Sequence, residues 1–163
     1  MSKHYGFTLV EILIVIAIIG ILTSIGLVTF NSSQIKSRDA KRKAHLQQIS
    51  SALELYYNDK GQYPADDALG NIIGCGAGAI AVCTWGTSAF SNTTTGTIYM
   101  IKLPADPNSY NYYYRRTATS SYQLYAHLEN SQDKSILSIP PNLNCGAGAN
   151  SCNYGVSSGN TTP

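Results

Sequence analysis

An uninterrupted apolar run near the N-terminus constrains this chain more than any other feature. It extends from Phe7 to Phe30, 24 residues in which Glu11 is the only ionisable side chain. As an α-helix the run would reach about 36 Å at ~1.5 Å per residue, enough to cross a hydrocarbon core of roughly 30 Å. A secretory signal has a shorter apolar stretch that is followed by a small-residue cleavage site. The run therefore predicts a retained transmembrane helix.

The sequence after the apolar run continues the helix with a different surface. Residues 31–60 are polar but contain neither proline nor glycine. Apolar side chains recur there at the three- and four-residue intervals of one helix face, namely Leu46, Ile49, Leu53 and Tyr56. Gly61 and Pro64 mark the end of the helix, because glycine is common just past a helix terminus and proline cannot continue it. One helix of roughly 50 residues, ~75 Å long, is predicted.

The rest of the chain predicts a small antiparallel sheet. Two aromatic segments, Tyr110–Arg116 and Tyr122–Leu128, have the composition of strands and are separated by the turn-like sequence TATSS. The stretch YNYYY in the first segment could also form an adhesive surface, and the strand is the favoured interpretation. The glycine- and threonine-rich residues 66–97 are expected to form a long ordered loop. The predicted fold class is α+β, with the amphipathic half of the helix packed on the sheet.

The cysteines form two close pairs in loop-like sequence, Cys75 with Cys83 and Cys145 with Cys152. Such pairs are typical of a small exported domain that is stabilised by disulfides, although four cysteines allow three connectivities. A zinc site is the alternative, but structural zinc usually draws on C-x2-4-C spacings, which are shorter than those found here. All four cysteines are therefore disulfide candidates.

One basic cluster, KSRDAKRK, follows the apolar run. Its basic residues are Lys36, Arg38, Lys41, Arg42 and Lys43. We interpret the cluster as a juxtamembrane helix face, with lipid or polyanion binding as the alternative. By charge alone it would place the C-terminal domain in the cytoplasm, whereas the cysteines indicate export, and long domains can translocate regardless of flanking charge. The net charge of +2 is too small to indicate a nucleic-acid-binding domain.

The sequence Gly6-Phe7-Thr8-Leu9-Val10-Glu11, which follows a short leader with one basic residue, resembles the processing site of type IV pilins and type II secretion pseudopilins. The resemblance implies that a prepilin peptidase cuts after Gly6 and that Phe7 is then N-methylated. YYNDKGQYP, KLPADP and YQLYAHLE are similar to stretches of the major pseudopilins. The resemblance therefore implies a pilin-like fold.

Glu11 has two compatible interpretations. Thr8 and Glu11 have the spacing of a capping box, in which the two side chains satisfy free amide groups at a helix start. The resemblance adds a role in filament assembly, in which Glu11 of one subunit meets the positive amino terminus of Phe7 on a neighbour. That pairing would neutralise a charge that is costly to hold in lipid.

No residue pattern indicates catalysis, a cofactor or a metal. His4, His45 and His127 lack ligand spacing, and GCGAGA lacks the surroundings of a nucleotide loop. Asp66, Asp67 and Asp106 could ligate a metal only if the fold happened to bring them together. The calcium loop of the major pseudopilins is not recognisable, because the chain reads NSQDKS there. A non-enzymatic protein is predicted.

The expected organisation is a leader peptide and a two-part helix, followed by a globular domain and a tail. The leader is residues 1–6, the transmembrane half of the helix is 7–30 and its amphipathic half is 31–60. Residues 61–139 form an exported globular domain, and 140–163 form a cysteine-bridged C-terminal loop and flexible tail.

The resemblance implies a structural subunit of a type IV filament, either a pilus or a secretion pseudopilus. Its implied partners are other copies of itself or minor pilins, the prepilin peptidase, an inner-membrane assembly platform and, before assembly, the lipid bilayer. The precursor would be a single-pass inner-membrane protein with its domain outside the cytoplasm, and the product an extracellular or periplasmic filament. The alternative is a monomeric membrane-anchored binding domain outside the cytoplasm. The sequence does not decide which machine assembles the filament, or whether the protein is its major or a minor subunit.

Overall fold

The computed structural model describes residues 6–139, 143–146 and 151–163, with the side chains of residues 25–29 excepted. The chain divides into two compact units, Met1–Ser37 and Arg38–Pro163. The α-helix of the described residues, α1, spans Leu9–Lys60. The helix ends at the residue where the sequence analysis places its end. Gly61 follows with φ 68° and donates its N–H to the Tyr57 carbonyl at 2.7 Å, which caps the C-terminus.

In residues 7–30 of the first unit, the large apolar side chains that are described lie in solvent. Their exposure runs from 50% at Ile12 to 84% at Phe7. Two hydroxyl groups in this unit are hydrogen-bonded to the helix backbone. Thr23 and Ser24 both donate to carbonyls of the preceding turn at 2.7 Å. Across the residues that the structure describes, no helix meets the length and apolarity required for a membrane span. A membrane-spanning role for residues 7–30 stays a prediction.

Among its described residues, the second unit contains eight short strands in three antiparallel sheets. The first sheet has the order β1-β2-β3, formed by Ala65–Asp66, Ile72–Cys75 and Ala81–Cys83. The second sheet pairs β4, Phe90–Asn92, with β5, Thr97–Met100. Residues 66–97 are therefore not the long loop that was expected. The glycines in this stretch permit tight turns with positive φ, so that short strands can form between them.

The third sheet contains the strands that the aromatic segments predict, with altered bounds. Its order is β6-β7-β8, formed by Tyr113–Ala118, Ser121–Ala126 and Tyr154–Ser157. Strand β6 starts late because Asp106 accepts hydrogen bonds from the N–H groups of Asn108 and Tyr110 and so holds the preceding residues in a loop. Leu128 lies beyond the end of β7, where its N–H donates to Asn153. Strand β8 was not anticipated from the sequence.

The core of the second unit lies between one helix face and the sheets. The helix contributes the predicted stripe, Leu46, Ile49, Leu53 and Tyr56, all at most 7% exposed. The sheets cover this stripe with aromatic and aliphatic side chains, among them Ile72, Phe90, Tyr114, Tyr122 and Leu124. The amphipathic half of the helix therefore buries the face that its periodicity predicts.

The C-terminal residues that the sequence analysis expected to be a flexible tail fold back onto the third sheet. The Ser158 N–H donates to the Tyr122 carbonyl at 3.2 Å, and Gln123 Nε2 donates to the Thr162 carbonyl at 2.7 Å. Asn160 Nδ2 donates to the Ser120 carbonyl at 3.0 Å. These bonds give the segment a defined path that its composition does not suggest.

Candidate functional site

The start of α1 holds the residues to which the sequence analysis assigns processing and assembly. Gly6, Phe7 and Thr8 precede the helix in non-helical conformation, and Phe7 is 84% exposed. Among the described residues other than its chain neighbours, none has an atom within 4 Å of the position that a Cβ would take on Gly6. The bond between Gly6 and Phe7 is thus in an exposed segment just ahead of the first helical turn.

Thr8 and Glu11 form the capping box that their spacing predicts. The Thr8 N–H donates to Glu11 Oε2 at 2.7 Å, and the Glu11 N–H donates to Thr8 Oγ1 at 3.3 Å. The Thr8 hydroxyl also donates to Glu11 Oε2 at 2.8 Å. Both bonds that the carboxylate accepts go to Oε2, and Oε1 accepts no hydrogen bond from the described residues. The carboxylate can therefore cap its own helix and still accept a bond from another molecule.

A second cluster of charged residues lies inside the globular unit. The side chain of Arg42 is fully buried and meets three carboxylates: Asp39 at 2.8 Å, Asp106 at 2.7 Å and Glu129 at 2.7 Å. Its guanidinium also lies 4.9 Å from the centre of the Tyr110 ring. A buried guanidinium needs such pairing, because an isolated charge in a core is strongly unfavourable.

The same carboxylates also fix two loops by accepting backbone hydrogen bonds. Asp106 accepts from the N–H of Asn108 at 2.8 Å, and Asp39 accepts from Glu129 and Asn130 at 2.9 Å each. Arg42 therefore joins the helix to the loop around Asp106 and to the loop that follows β7. Asp106 is the acidic residue of the KLPADP motif, so its ion pair with Arg42 gives this motif a structural role.

Two further basic residues of the helix hold the segment after β7. Arg38 binds Glu129 through two nitrogens and, as the largest cause, lowers the pKa of Glu129 to about 2. Lys43 Nζ lies 2.8 Å from Asp133, and this hydrogen bond is the main reason that the pKa of Asp133 falls to about 2.

The interpretation of KSRDAKRK as a juxtamembrane face is corrected by these contacts. Arg38, Arg42 and Lys43 form ion pairs inside the globular unit, whereas Lys36 and Lys41 are exposed. Sequence reasoning missed the cluster because its acidic partners lie more than sixty residues away. The one local signal was Asp39, which has the (i, i+3) spacing to Arg42 that lets two side chains meet on a helix.

The four candidate cysteines form two disulfides between the near pairs. Cys75 is bonded to Cys83 and closes the hairpin of β2 and β3. Cys145 is bonded to Cys152, and both lie in a small buried cluster with Tyr125 and Leu143. Neither pair forms the zinc site that the sequence left as an alternative.

The histidines and the remaining acids have structural surroundings where they are described. His4 lies outside the described residues. His45 Nδ1 is 2.7 Å from the Tyr112 hydroxyl, and His127 Nδ1 is 2.7 Å from the Ser151 carbonyl. Asp67 accepts hydrogen bonds from Leu69 and Asn71 in a turn. Within the described part of the chain, no group of three or more such side chains could hold a metal ion.

The fold and the capped helix start together define a class of protein. A long helix with an apolar first half and a second half packed on a small antiparallel sheet is the pilin-like fold. Two protein-family models match the chain. The model for "Prokaryotic N-terminal methylation motif" matches residues 1–27, and the model for "Type II secretion system (T2SS), protein G" matches residues 29–134. The chain belongs to the type II secretion system protein G family.

Curated relatives carry the names of both secretion and pilus proteins. The type II secretion system core protein G of Vibrio cholerae is 30% identical over 114 residues, which cover 69% of this chain and 72% of that protein. The type IV major pilin PilA of Myxococcus xanthus is 36% identical over 61 residues, 37% of this chain and 28% of the pilin. The fimbrial protein EcpC of Eikenella corrodens is 42% identical over 67 residues, 41% of this chain and 44% of that protein.

The matched part of the chain covers less than half of the length of PilA and of EcpC. No solved structure matches the chain significantly.

Proposed function

We propose that the protein is a structural subunit of a type IV filament and polymerises through the apolar first half of α1. The observation that carries the proposal is the methylation motif at residues 1–27, which includes the start of α1, together with the large apolar side chains of residues 7–24, which are at least half exposed. A single chain leaves this surface in solvent, and other copies of the same helix would bury it.

Processing is the first step of the proposed function. A prepilin peptidase cuts after Gly6, and Phe7 becomes the N-methylated first residue of the mature chain. The exposed, non-helical conformation of residues 6–8 supports this step, because the bond to be cut is not enclosed in the helix. The cut also creates a positive amino group on Phe7, four residues before the capping-box carboxylate of Glu11.

The second step is transfer from membrane to filament. The precursor is held in the inner membrane by residues 7–30 with its globular unit outside the cytoplasm, a location that the two disulfides support. An inner-membrane assembly platform then moves the subunit into an extracellular or periplasmic polymer. Subunits that add head to tail without closing use a heterologous contact, so one protein can form a helical filament.

Glu11 gives the polymer its register in this proposal. The open Oε1 of one subunit accepts a hydrogen bond from the amino group of Phe7 on its neighbour, while Oε2 keeps the capping box. Both charges would be costly if buried alone in the apolar core of the filament, and pairing removes that cost. A misplaced subunit leaves the pair unmade, which favours one stagger between helices.

A secretion pseudopilus is the form of filament that the comparisons favour. The protein G family match spans residues 29–134 and so includes most of the globular unit, whereas the pilus relatives match only 61 and 67 residues. In this proposal the subunit has a structural and not a catalytic role, which the match to the protein G family supports.

The test is to follow processing and assembly in cells that carry the secretion apparatus. Intact mass and N-terminal sequencing of the sheared surface fraction should give a chain that begins with N-methylated Phe7. The Glu11→Ala variant should be cut and stay in the membrane but be absent from the sheared fraction. A chain that begins at Met1 and occurs only in membranes would instead support a monomeric anchored binding domain.

Thr8→Ala is the matched control, because it removes the hydroxyl bonds of the capping box and keeps the carboxylate. We expect it to assemble. If both variants lose assembly equally, helix capping explains the need for Glu11 and the pairing with Phe7 is wrong.

A further inference from the structure

Two adjoining cavities form one groove on the surface of the globular unit. Their volumes are about 320 Å³ and 300 Å³, and both are lined by Leu69, Asn111 and Asn144. The first also contacts Tyr113, and the second contacts Asn71 and Trp85. We call this surface the amide groove. Each cavity has the volume of a small-ligand site, and their shared wall would let one ligand extend through both.

Two asparagines of the groove, Asn71 and Asn111, have side-chain atoms that are available to bond a ligand. Asn71 Nδ2 donates to Asp67 Oδ2 at 2.7 Å, which fixes the amide and leaves Asn71 Oδ1 as an acceptor without a hydrogen bond from the described residues. The backbone N–H of Asn111 donates to the Cys145 carbonyl at 2.8 Å, so its main chain is fixed. Its exposed side-chain amide makes no hydrogen bond to the described residues, and it lines both cavities.

Aromatic rings stand at both ends of the groove. The indole of Trp85 is half-buried and its Nε1 donates to the Gly70 carbonyl at 3.3 Å. The Tyr113 ring packs against Gly70, where a Cβ would come within 2.5 Å of it. Gly70, with φ 90°, therefore lets both rings approach the same backbone segment. The rings are fixed in place, and Leu69 between them is 80% exposed.

The chemistry of the groove selects against charged ligands. None of the described residues that line either cavity is charged. A carboxamide offers donors and an acceptor side by side, which suits a pair of neighbouring hydroxyl groups. An aromatic face suits the C–H-lined face of a sugar ring, which is apolar although its edge is polar. Phosphates and carboxylates would instead require a cation here.

We propose that the amide groove binds a short neutral saccharide. Asn71 and Asn111 bond its hydroxyl or acetamido groups, and the face of one sugar ring packs on Trp85. This site is separate from the helix start and does not depend on the proposed filament function. A peptide is the rival ligand, since backbone amides could also bond to the asparagines, and the test below distinguishes the two.

The experiment uses the full chain in dodecylphosphocholine micelles, since that detergent carries no sugar. Trp85 is the only tryptophan of the chain, so tryptophan fluorescence reports on this groove alone. The probes are N,N′-diacetylchitobiose, cellobiose, lactose and maltose. Each is raised to about 10 mM, which is well above a dissociation constant of about 1 mM, the affinity of a weak ligand. A sulfated disaccharide and a tetraglycine peptide serve as the charged and the peptide probe.

We expect at least one neutral disaccharide to give a saturable change of fluorescence, confirmed by calorimetry. Asn111→Ala should weaken its binding at least about tenfold, because the lost amide has no role in the fold that the structure describes. Asn58→Ala, an exposed amide on the helix outside the groove, should bind like the unchanged chain.

Three results would overturn the proposal. The first is the absence of any saturable response to all four neutral sugars. The second is equal binding by Asn111→Ala, provided that its thermal unfolding matches that of the unchanged chain. The third is tighter binding of the sulfated sugar or of the peptide than of the neutral sugars, which would exclude the ligand class that the groove chemistry favours.

Discussion

The two units of this chain differ in how far they bury their apolar side chains and pair their polar groups. Residues 7–24 present large apolar side chains that are at least half exposed, together with a carboxylate oxygen that accepts no hydrogen bond from the described residues. The globular unit buries a fully enclosed arginine against three carboxylates, and no buried side-chain polar atom in the described residues lacks a hydrogen bond. The second unit is complete as a fold, whereas the first requires other molecules.

This contrast explains why the proposed filament function is assigned to the helix start. An exposed apolar surface of this extent in water is unfavourable, so a bilayer or other helices must cover it. The ion cluster around Arg42 differs, because its charged groups are paired with one another within the globular unit. Charged residues therefore indicate function in the first unit and stability in the second.

The largest effect is expected from removing the central cation of the globular unit. Arg42→Leu leaves Asp39 and Asp106 buried without their main partner, and breaking a buried pair in this way costs roughly 3–5 kcal/mol. Urea unfolding of the full chain in micelles would measure the loss. Lys41→Leu is the control, since Lys41 is exposed on the neighbouring helix position. A loss below about 1 kcal/mol for Arg42→Leu would show that the cluster is not a stabilising centre.

A matched pair of isoleucines on the same helix sharpens the comparison. Ile49 is fully buried and Ile16 is 62% exposed. Ile49→Ala should lower the free energy of unfolding by about 2–5 kcal/mol through lost burial and a cavity. Ile16→Ala should change it by less than about 0.5 kcal/mol, because an exposed side chain loses little on unfolding. Similar losses for both variants, measured by the same urea unfolding, would contradict the assignment of Ile16 to an unpartnered surface.

The sequence predicted the parts of the fold that depend on local periodicity. The helix, its buried stripe from Leu46 to Tyr56 and its glycine cap follow from spacing alone, as does the capping box of Thr8 and Glu11. The bonds between near cysteines also agree with the sequence expectation. These features involve neighbours in sequence, whose geometry is set by the helix or the turn that contains them.

Non-local features were missed or placed only approximately. Arg42 and Asp106 are 64 positions apart, and no periodicity connects them. Strand β8 is a short segment that pairs with β7 across a separate loop, so its composition gave no signal. The short strands within residues 66–97 depend on glycine turns and a disulfide more than on strand-forming residues. Tertiary context decided the structure in each of these cases.

Acid should destabilise the globular unit through the carboxylates that its cations bind. The pKa of Glu129 is lowered from 4.5 in an unperturbed chain to about 2, chiefly by the hydrogen bond from Arg38. A group whose pKa is lowered by folding stabilises the fold fully above its unfolded pKa, so stability should decline as the pH falls from about 4.5 toward 2.

Urea unfolding from pH 6 to pH 2 tests this effect, which we expect to be about 1–3 kcal/mol for the charged hydrogen bonds of Glu129. Glu129→Gln should be less stable at pH 6 and should show a flatter decline in acid. An unchanged slope in Glu129→Gln would exclude Glu129 as the source.

The smallest expected effect concerns the first turn of α1. Thr8→Ala removes the N-cap hydroxyl of the capping box, and such a loss typically costs about 0.5–2 kcal/mol of local helix stability. Amide hydrogen exchange of the full chain in micelles should therefore become faster by about 2- to 30-fold at Glu11 and Ile12, whose N–H groups bond to Thr8. The core amides around Leu46 and Ile49 should exchange at the unchanged rate, because their protection depends on burial against the sheets. Faster exchange at those core amides would mean that the helix start contributes to the stability of the globular unit, and the contrast between the two units would then fail.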